Sequence, residues 1–179
     1  MGKVLGPERA MKGGVGSASV GLSGGLVVAA LATVNAFGDV RDPATGEIVA
    51  GPRLADGTLA DSVEHLEEAA RFMRWGESTT LAVVATNARL TKPQATKVSQ
   101  MAHDGLARTI SPVHTSIDGD LVFAASVCGP ADGSAGVPPG VAAAPDVVGA
   151  WGARVVERAV LRAVRSAKGI PGFPAVPEL

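Results

Sequence analysis

Apolar positions along the chain gather into a few blocks separated by turn-forming residues. Residues 26–37 form a nearly continuous Val/Ala/Leu run, interrupted by Asn35 near its end, and predict a strand buried on both faces. Residues 80–86 and 121–127 are two further strand candidates of the same kind. Between them the spacing turns helical. Asp61 with Glu64 makes a capping-box pattern ahead of a stripe of Val63, Leu66, Ala70 and Met73 that stops at Gly76. Thr91 with Gln94 makes another, opening a helix with Ala95, Val98, Met101 and Ala102 on one side. The last long element, residues 146–167, carries Val148, Trp151, Val155, Ala159 and Val164 at helical spacing and ends at Lys168-Gly169, a cation and a C-cap. Residues 1–19 are glycine-rich and read as loop running into strand, while residues 38–58 and 129–140 are rich in turn signals. The loose alternation of strands and helices predicts one domain of the α/β or α+β class.

Composition narrows this further. With 46% hydrophobic and 18% charged residues, the 179-residue chain can bury a core. Aromatics are 3% and tyrosine is missing, so that core must be built from Val, Ala and Leu. Sixteen Lys+Arg against seventeen Asp+Glu leave a net charge of −1, without the basic surplus a nucleic-acid partner calls for. The longest apolar run, residues 26–34, is about half of the ~20 residues a membrane span needs. It also sits too far behind a glycine-rich leader to be a signal-peptide core, leaving the cytoplasm as the default. One cysteine excludes an internal disulfide framework, and Cys128, at a strand end, reads as a buried structural thiol.

No cofactor is implied. Gly14-Val15-Gly16 has Ser19 where a phosphate loop needs its third glycine, and no Gly-Lys-Ser/Thr follows. Those glycines fit backbone that bends tightly or passes close to another segment. His65, His103 and His114 are not in a metal pattern, and no Gly-x-Ser-x-Gly elbow supports a serine triad. His65 reads as a solvent-facing helix residue and His114 as a hydrogen-bonding loop residue. Taken alone, Asp118-Gly119-Asp120 is an acidic turn, Lys12 a solvated loop lysine, and Ser78-Thr79-Thr80 a set of cap residues ahead of a strand.

Together, several strings carry more. Lys12-Gly13-Gly14-Val15-Gly16-Ser17-Ala18-Ser19 is followed by Val34-Asn35-Ala36-Phe37-Gly38-Asp39 and Asp42-Pro43-Ala44-Thr45-Gly46. After these come the segment from Glu77 to Asn87, Met101-Ala102-His103-Asp104-Gly105-Leu106-Ala107-Arg108, and the stretch from Pro112 to Asp120. In this order they resemble the P1 family of self-cleaving N-terminal-nucleophile hydrolases, which holds D-aminopeptidase/amidases, β-peptidyl aminopeptidases and nylon-oligomer hydrolases. The resemblance covers essentially the whole chain. It implies an αββα sandwich with its N-terminal part missing, since family precursors are longer. Members usually begin this region with a Gly-Ala-Thr-Val-Gly-Lys-like string, and Met1-Gly2-Lys3 stands at the end of it here.

The resemblance further implies a self-cut between Ser78 and Thr79. Residues 1–78 then belong to the larger subunit and residues 79–179 form the smaller one, the two making a single structural domain. Thr79 becomes the nucleophile, Asn35 an active-site amide, Asp118 and Asp120 an acidic pair beside it, and Lys12 a charged neighbour. The chemistry suits those residue types. A threonine hydroxyl needs a base, and the α-amine freed by the cut, with a reference pKa of about 7.7–8.0, can serve. An amide such as Asn35 can donate to a developing oxyanion, an effect of about 3 kcal/mol per donor. The implied activity is hydrolysis of small peptides or linear amide oligomers through an acyl-enzyme, with the acidic pair leaning toward the nylon-oligomer branch. Homo-oligomers of cleaved subunit pairs are the implied assembly. Two other readings stand beside it: an ornithine acetyltransferase-like acyl transferase, and an inactive truncated remnant.

Overall fold

The computed structural model describes residues 1–70, 78–130, 136–137 and 139–176. Four strands form the main sheet, in the order β1 (Val15–Gly21), β2 (Val27–Asn35), β5 (Thr79–Thr86), β7 (Leu121–Ser126). β1, β2 and β5 pair antiparallel, and β7 joins β5 in parallel. A parallel neighbour needs a crossover, which α2 (Lys92–Thr109) supplies; α3 (Pro145–Arg165) follows β7. A small second sheet has the order β4 (Ile48–Ala50), β3 (Asp39–Arg41), β6 (Ile110–Ser111). A single helical turn, α1 (Leu66–Ala69), precedes β5.

Both long helices pack on one face of the main sheet and against each other. Alternate strand residues (Val28, Ala30, Ala32 and Val34 of β2; Ala82 and Val84 of β5) meet Val98, Ala102 and Leu106 of α2 and Val148, Val155, Val156, Ala159, Val160, Ala163 and Val164 of α3. Small side chains let the layers approach closely, as the composition requires. Gly14 and Gly16 show how closely: a Cβ on Gly16 would collide with the Ala159 carbonyl and the Ala163 backbone of α3, and one on Gly14 with the Ala163 carbonyl. They are a contact surface for a helix and not a phosphate cradle. The mixed α/β class is as expected, and the helix-on-sheet half of a sandwich is present.

Several elements differ from the sequence reading. The run at residues 26–37 is buried on one face only, because no layer among the described residues covers the other; Val27, Leu31, Leu81, Leu121 and Phe123 are all exposed there. The helix anticipated behind Asp61 begins only at Leu66. Asp61 instead closes a local turn by accepting the Val63 N–H at 2.9 Å, and binds Arg41 at 2.7 Å. Met73 and Gly76 lie outside the described residues. The turn-rich region contains two strands, β3 and β4. Cys128 is exposed, since it follows the last residues of β7 that the helices cover. The Thr91–Gln94 capping box forms as read, with the Thr91 N–H donating to Gln94 Oε1 at 2.9 Å. Among the described residues, no helix is long and apolar enough to cross a membrane.

Candidate active site

The strand order brings three distant segments to one end of the main sheet. β2 ends where β5 begins, so Asn35 lies opposite Thr79. β7 runs parallel to β5, so the loop that enters β7 arrives beside the same point, with Ser78 bridged to Asp118. A small apolar cluster of Val4, Phe37, Ala69 and Ile117 anchors this end, fixing both the Phe37 turn and the loop. Strand alternation puts the Thr79 side chain on the uncovered face, with Leu81, and Thr80 on the helix-covered face.

The Ser78–Thr79 junction is tightly held. Ser78 is buried, and its carbonyl oxygen accepts both the Thr79 hydroxyl, at 2.6 Å, and the Gly119 N–H, at 3.0 Å. Gly119 is close enough that a Cβ there would stand 2.9 Å from Thr79 Oγ1, which explains a glycine between two aspartates. Lys3 Nζ donates to Ser78 Oγ at 3.1 Å and to the Asn35 carbonyl at 3.2 Å. Lys12 does not reach these groups: its ammonium donates to the Gly13 carbonyl at 2.7 Å. Lys3 makes these contacts instead, and the signal that could have found it is its place in Met1-Gly2-Lys3, where the resemblance aligns a Gly-Ala-Thr-Val-Gly-Lys-like string.

The two aspartates act on backbone. Asp118 Oδ1 accepts the Phe37 N–H at 3.3 Å, and its Oδ2 accepts the Thr115 hydroxyl at 2.6 Å. Asp120, whose side chain is only 3% exposed, accepts the Thr80 N–H on Oδ1 at 2.7 Å. On Oδ2 it meets His114 twice, at Nδ1 (3.0 Å) and at the backbone N–H (3.2 Å). His114 Nε2 in turn lies 3.4 Å from His103 Nδ1 on α2. Asp39, fully buried, braces the Asn35–Asp39 stretch by accepting the Ser62 N–H at 2.7 Å and Arg41 Nε at 2.8 Å.

Of the residues singled out from sequence, Thr79, Ser78, Asn35, Asp118 and Asp120 converge; Lys12 stands apart. Lys3, Gly119 and His114 join them. Among the described residues, no group of three or more His, Cys, Asp or Glu is placed to hold a metal ion.

Against known proteins, the profile of peptidase family S58 matches residues 8–176. The chain belongs to peptidase family S58. An uncharacterized aminopeptidase of Mycobacterium tuberculosis is 41% identical over 185 residues, which is 92% of this chain and 51% of that protein. An uncharacterized aminopeptidase of Mycobacterium leprae is also 41% identical, over 92% of this chain and 47% of its own length. This S58 chain thus spans about half the length of the curated relatives it matches. Among solved structures, the L-aminopeptidase D-Ala-esterase/amidase of Ochrobactrum anthropi, described as a variant of the Ntn-hydrolase fold, aligns with a TM-score of 0.55 at 20% identity. That alignment covers 93% of this chain and 45% of that one. A protein of Pyrococcus horikoshii OT3 aligns with a TM-score of 0.52 at 23% identity, over 96% of this chain and 46% of the other. At these identities the likeness concerns the fold: this S58 chain has the Ntn-hydrolase type of αβ architecture.

The histidine pair gives the S58 site a measurable pH signature. Burial, with the His114 charge as a second cause, lowers the His103 pKa below its ordinary 6.5, while Asp120 and Asp104 oppose the shift. Below pH 6.5 the unfolded chain therefore binds more protons at His103 than the folded one, and stability falls as the pH drops through that window. Thermal melts from pH 7.5 to 5 should show a falling melting temperature, and His103→Gln should flatten that slope. An unchanged slope in the variant would place the acid sensitivity elsewhere.

Proposed function

We propose that this chain carries the self-cleaving nucleophile of an amide-hydrolysing S58 enzyme, with Thr79 in that role. The observation behind it is the Thr79 hydroxyl set 2.6 Å from the Ser78 carbonyl oxygen, which the Gly119 N–H already polarises at 3.0 Å. Attack of Thr79 Oγ on the Ser78 carbonyl carbon forms an ester and breaks the Ser78–Thr79 C–N bond; the hydroxyl proton passes to the departing nitrogen. Negative charge on the carbonyl oxygen during attack falls on the Gly119 N–H, a donor fixed in advance by the parallel β5–β7 ladder. Water then hydrolyses the ester, leaving a carboxylate on Ser78 and a free hydroxyl and α-amine on Thr79. That amine is the base for later turnovers, in which Thr79 Oγ takes an acyl group from a substrate amide and hands it to water.

Asn35, directly across from Thr79 and exposed, is the residue proposed to donate to a substrate oxyanion. Lys3 adds positive charge next to both Ser78 and Asn35. The substrates proposed are small peptides or linear amide oligomers, of aminopeptidase or 6-aminohexanoate-oligomer type; the names of the mycobacterial relatives support the first. The deciding experiment is mass spectrometry of the protein purified from its native locus. Two pieces, the second beginning at Thr79, are expected. A single intact mass after prolonged incubation would rule the self-cut out.

A further inference from the structure

We propose that His114, backed by His103, is a positioning residue for the Ser78–Thr79 junction and acts on it through Asp120. The inference rests on the self-cleavage reading and extends it to residues outside the set drawn from sequence.

Asp120 divides its two oxygens between the strand and the loop. Oδ1 holds the N–H of Thr80, the peptide that follows the nucleophile, and Oδ2 holds His114 through ring and backbone. The Asp120 side chain, 3% exposed, is costly to bury unless donors surround it, and among the described residues His114 is the side chain that supplies one. Were His114 lost, Asp120 would turn toward water, and the Thr79–Thr80 peptide would lose its fixed plane.

His114 is itself held in an uncommon state. Its φ of 55° lies in the left-handed region, sparsely populated for a residue with a side chain. Both bonds to Asp120 Oδ2 depend on that conformation, since they bring ring and backbone N–H to one oxygen. The His103 ring meets the His114 ring edge-on, with centroids 5.0 Å apart. When His103 Nδ1 carries a proton it donates to His114 Nε2, which leaves the His114 proton on Nδ1, facing Asp120. The charged groups facing the pair are Asp120 from the loop and Asp104 from α2.

The test measures the rate at which the piece beginning with Thr79 appears in the wild-type chain, in His114→Ala and in His114→Asn. Asparagine keeps a side-chain N–H donor near the Nδ1 position and tolerates positive φ. His114→Ala should slow the cut about 100-fold, the scale of a small misplacement of reacting groups, and His114→Asn should restore most of the rate. Wild-type speed in His114→Ala overturns the inference and leaves the function standing. Equal slowing in both variants, in step with equal losses of melting temperature, overturns it as well by reducing His114 to a packing residue. A wild-type chain that never cuts overturns both.

Discussion

Thr79→Ala leaves the chain uncut and without amide hydrolysis, while Thr79→Ser retains both at reduced rate: this is the largest effect expected of any single substitution. Removing a covalent nucleophile costs on the order of 10⁶ in turnover where it has been dissected, so the alanine variant should sit at background. No neighbour can substitute. Strand alternation puts Thr80 Oγ1 on the helix-covered face, where it is buried without a hydrogen-bond partner among the described residues. Ser78 Oγ is engaged by Lys3 and belongs to the residue on the acyl side of the bond. Because Thr79 is only half-buried, the alanine variant should keep its unfolding free energy to within about ±0.5 kcal/mol, as ordinary surface changes do. Denaturing gels and peptide-substrate assays on the same samples read both quantities. Fragments of the predicted masses from Thr79→Ala would move the cut, and the nucleophile, to another residue.

Element types and order were legible in the sequence where local chemistry and burial agreed. The Thr91–Gln94 box opens α2 because its capping bonds are local. The stripe of Val148, Val155, Ala159 and Val164 runs along α3 because that helix covers the sheet. Pattern reading failed where tertiary context decides. The run at residues 26–37 looked buried on both faces since its outward positions are also apolar, Leu31 among them, and a sequence cannot say whether a layer covers them. β3, β4 and β6 are two or three residues long and set by pairing, beneath the reach of a period-2 signal.

At the site, residue types pointed to chemistry, and the fold decided which of them meet. Thr79, Asn35, Asp118 and Asp120 were singled out through the order of motifs, and the β2–β5–β7 pairing brings them to one end of the sheet. Lys12 was taken from the most conspicuous lysine-glycine string, whereas Lys3, reaching back across the sheet end, makes the contacts. His114 looked like an ordinary loop residue because the sequence shows neither its positive φ nor the burial of the Asp120 carboxylate it faces.

Asp118→Asn, a change of one atom, should lower stability and self-cleavage together. Read from sequence, the acidic pair orients the Thr79 hydroxyl, so an amide there would cost turnover far more than stability. The geometry gives another expectation. Asp118 Oδ1 accepts the Phe37 N–H, and Oδ2 accepts both the N–H (3.3 Å) and the hydroxyl of Thr115. An asparagine has one acceptor oxygen and one NH2 donor, so either orientation sets that NH2 against a backbone N–H. The Thr115 hydroxyl can rotate to accommodate it; the Phe37 and Thr115 amides cannot. The stability cost should be about 1–3 kcal/mol, the range for a buried polar group left without its partner. The loop would then shift, carrying the Gly119 N–H off the Ser78 carbonyl, and the cut should slow by about 100-fold. Denaturant midpoints and fragment-appearance rates measure the two losses separately. A large loss of rate at unchanged stability would make Asp118 a group that acts chemically on Thr79, as the sequence reading had it. No loss of either would leave it an acidic turn, solvated and idle.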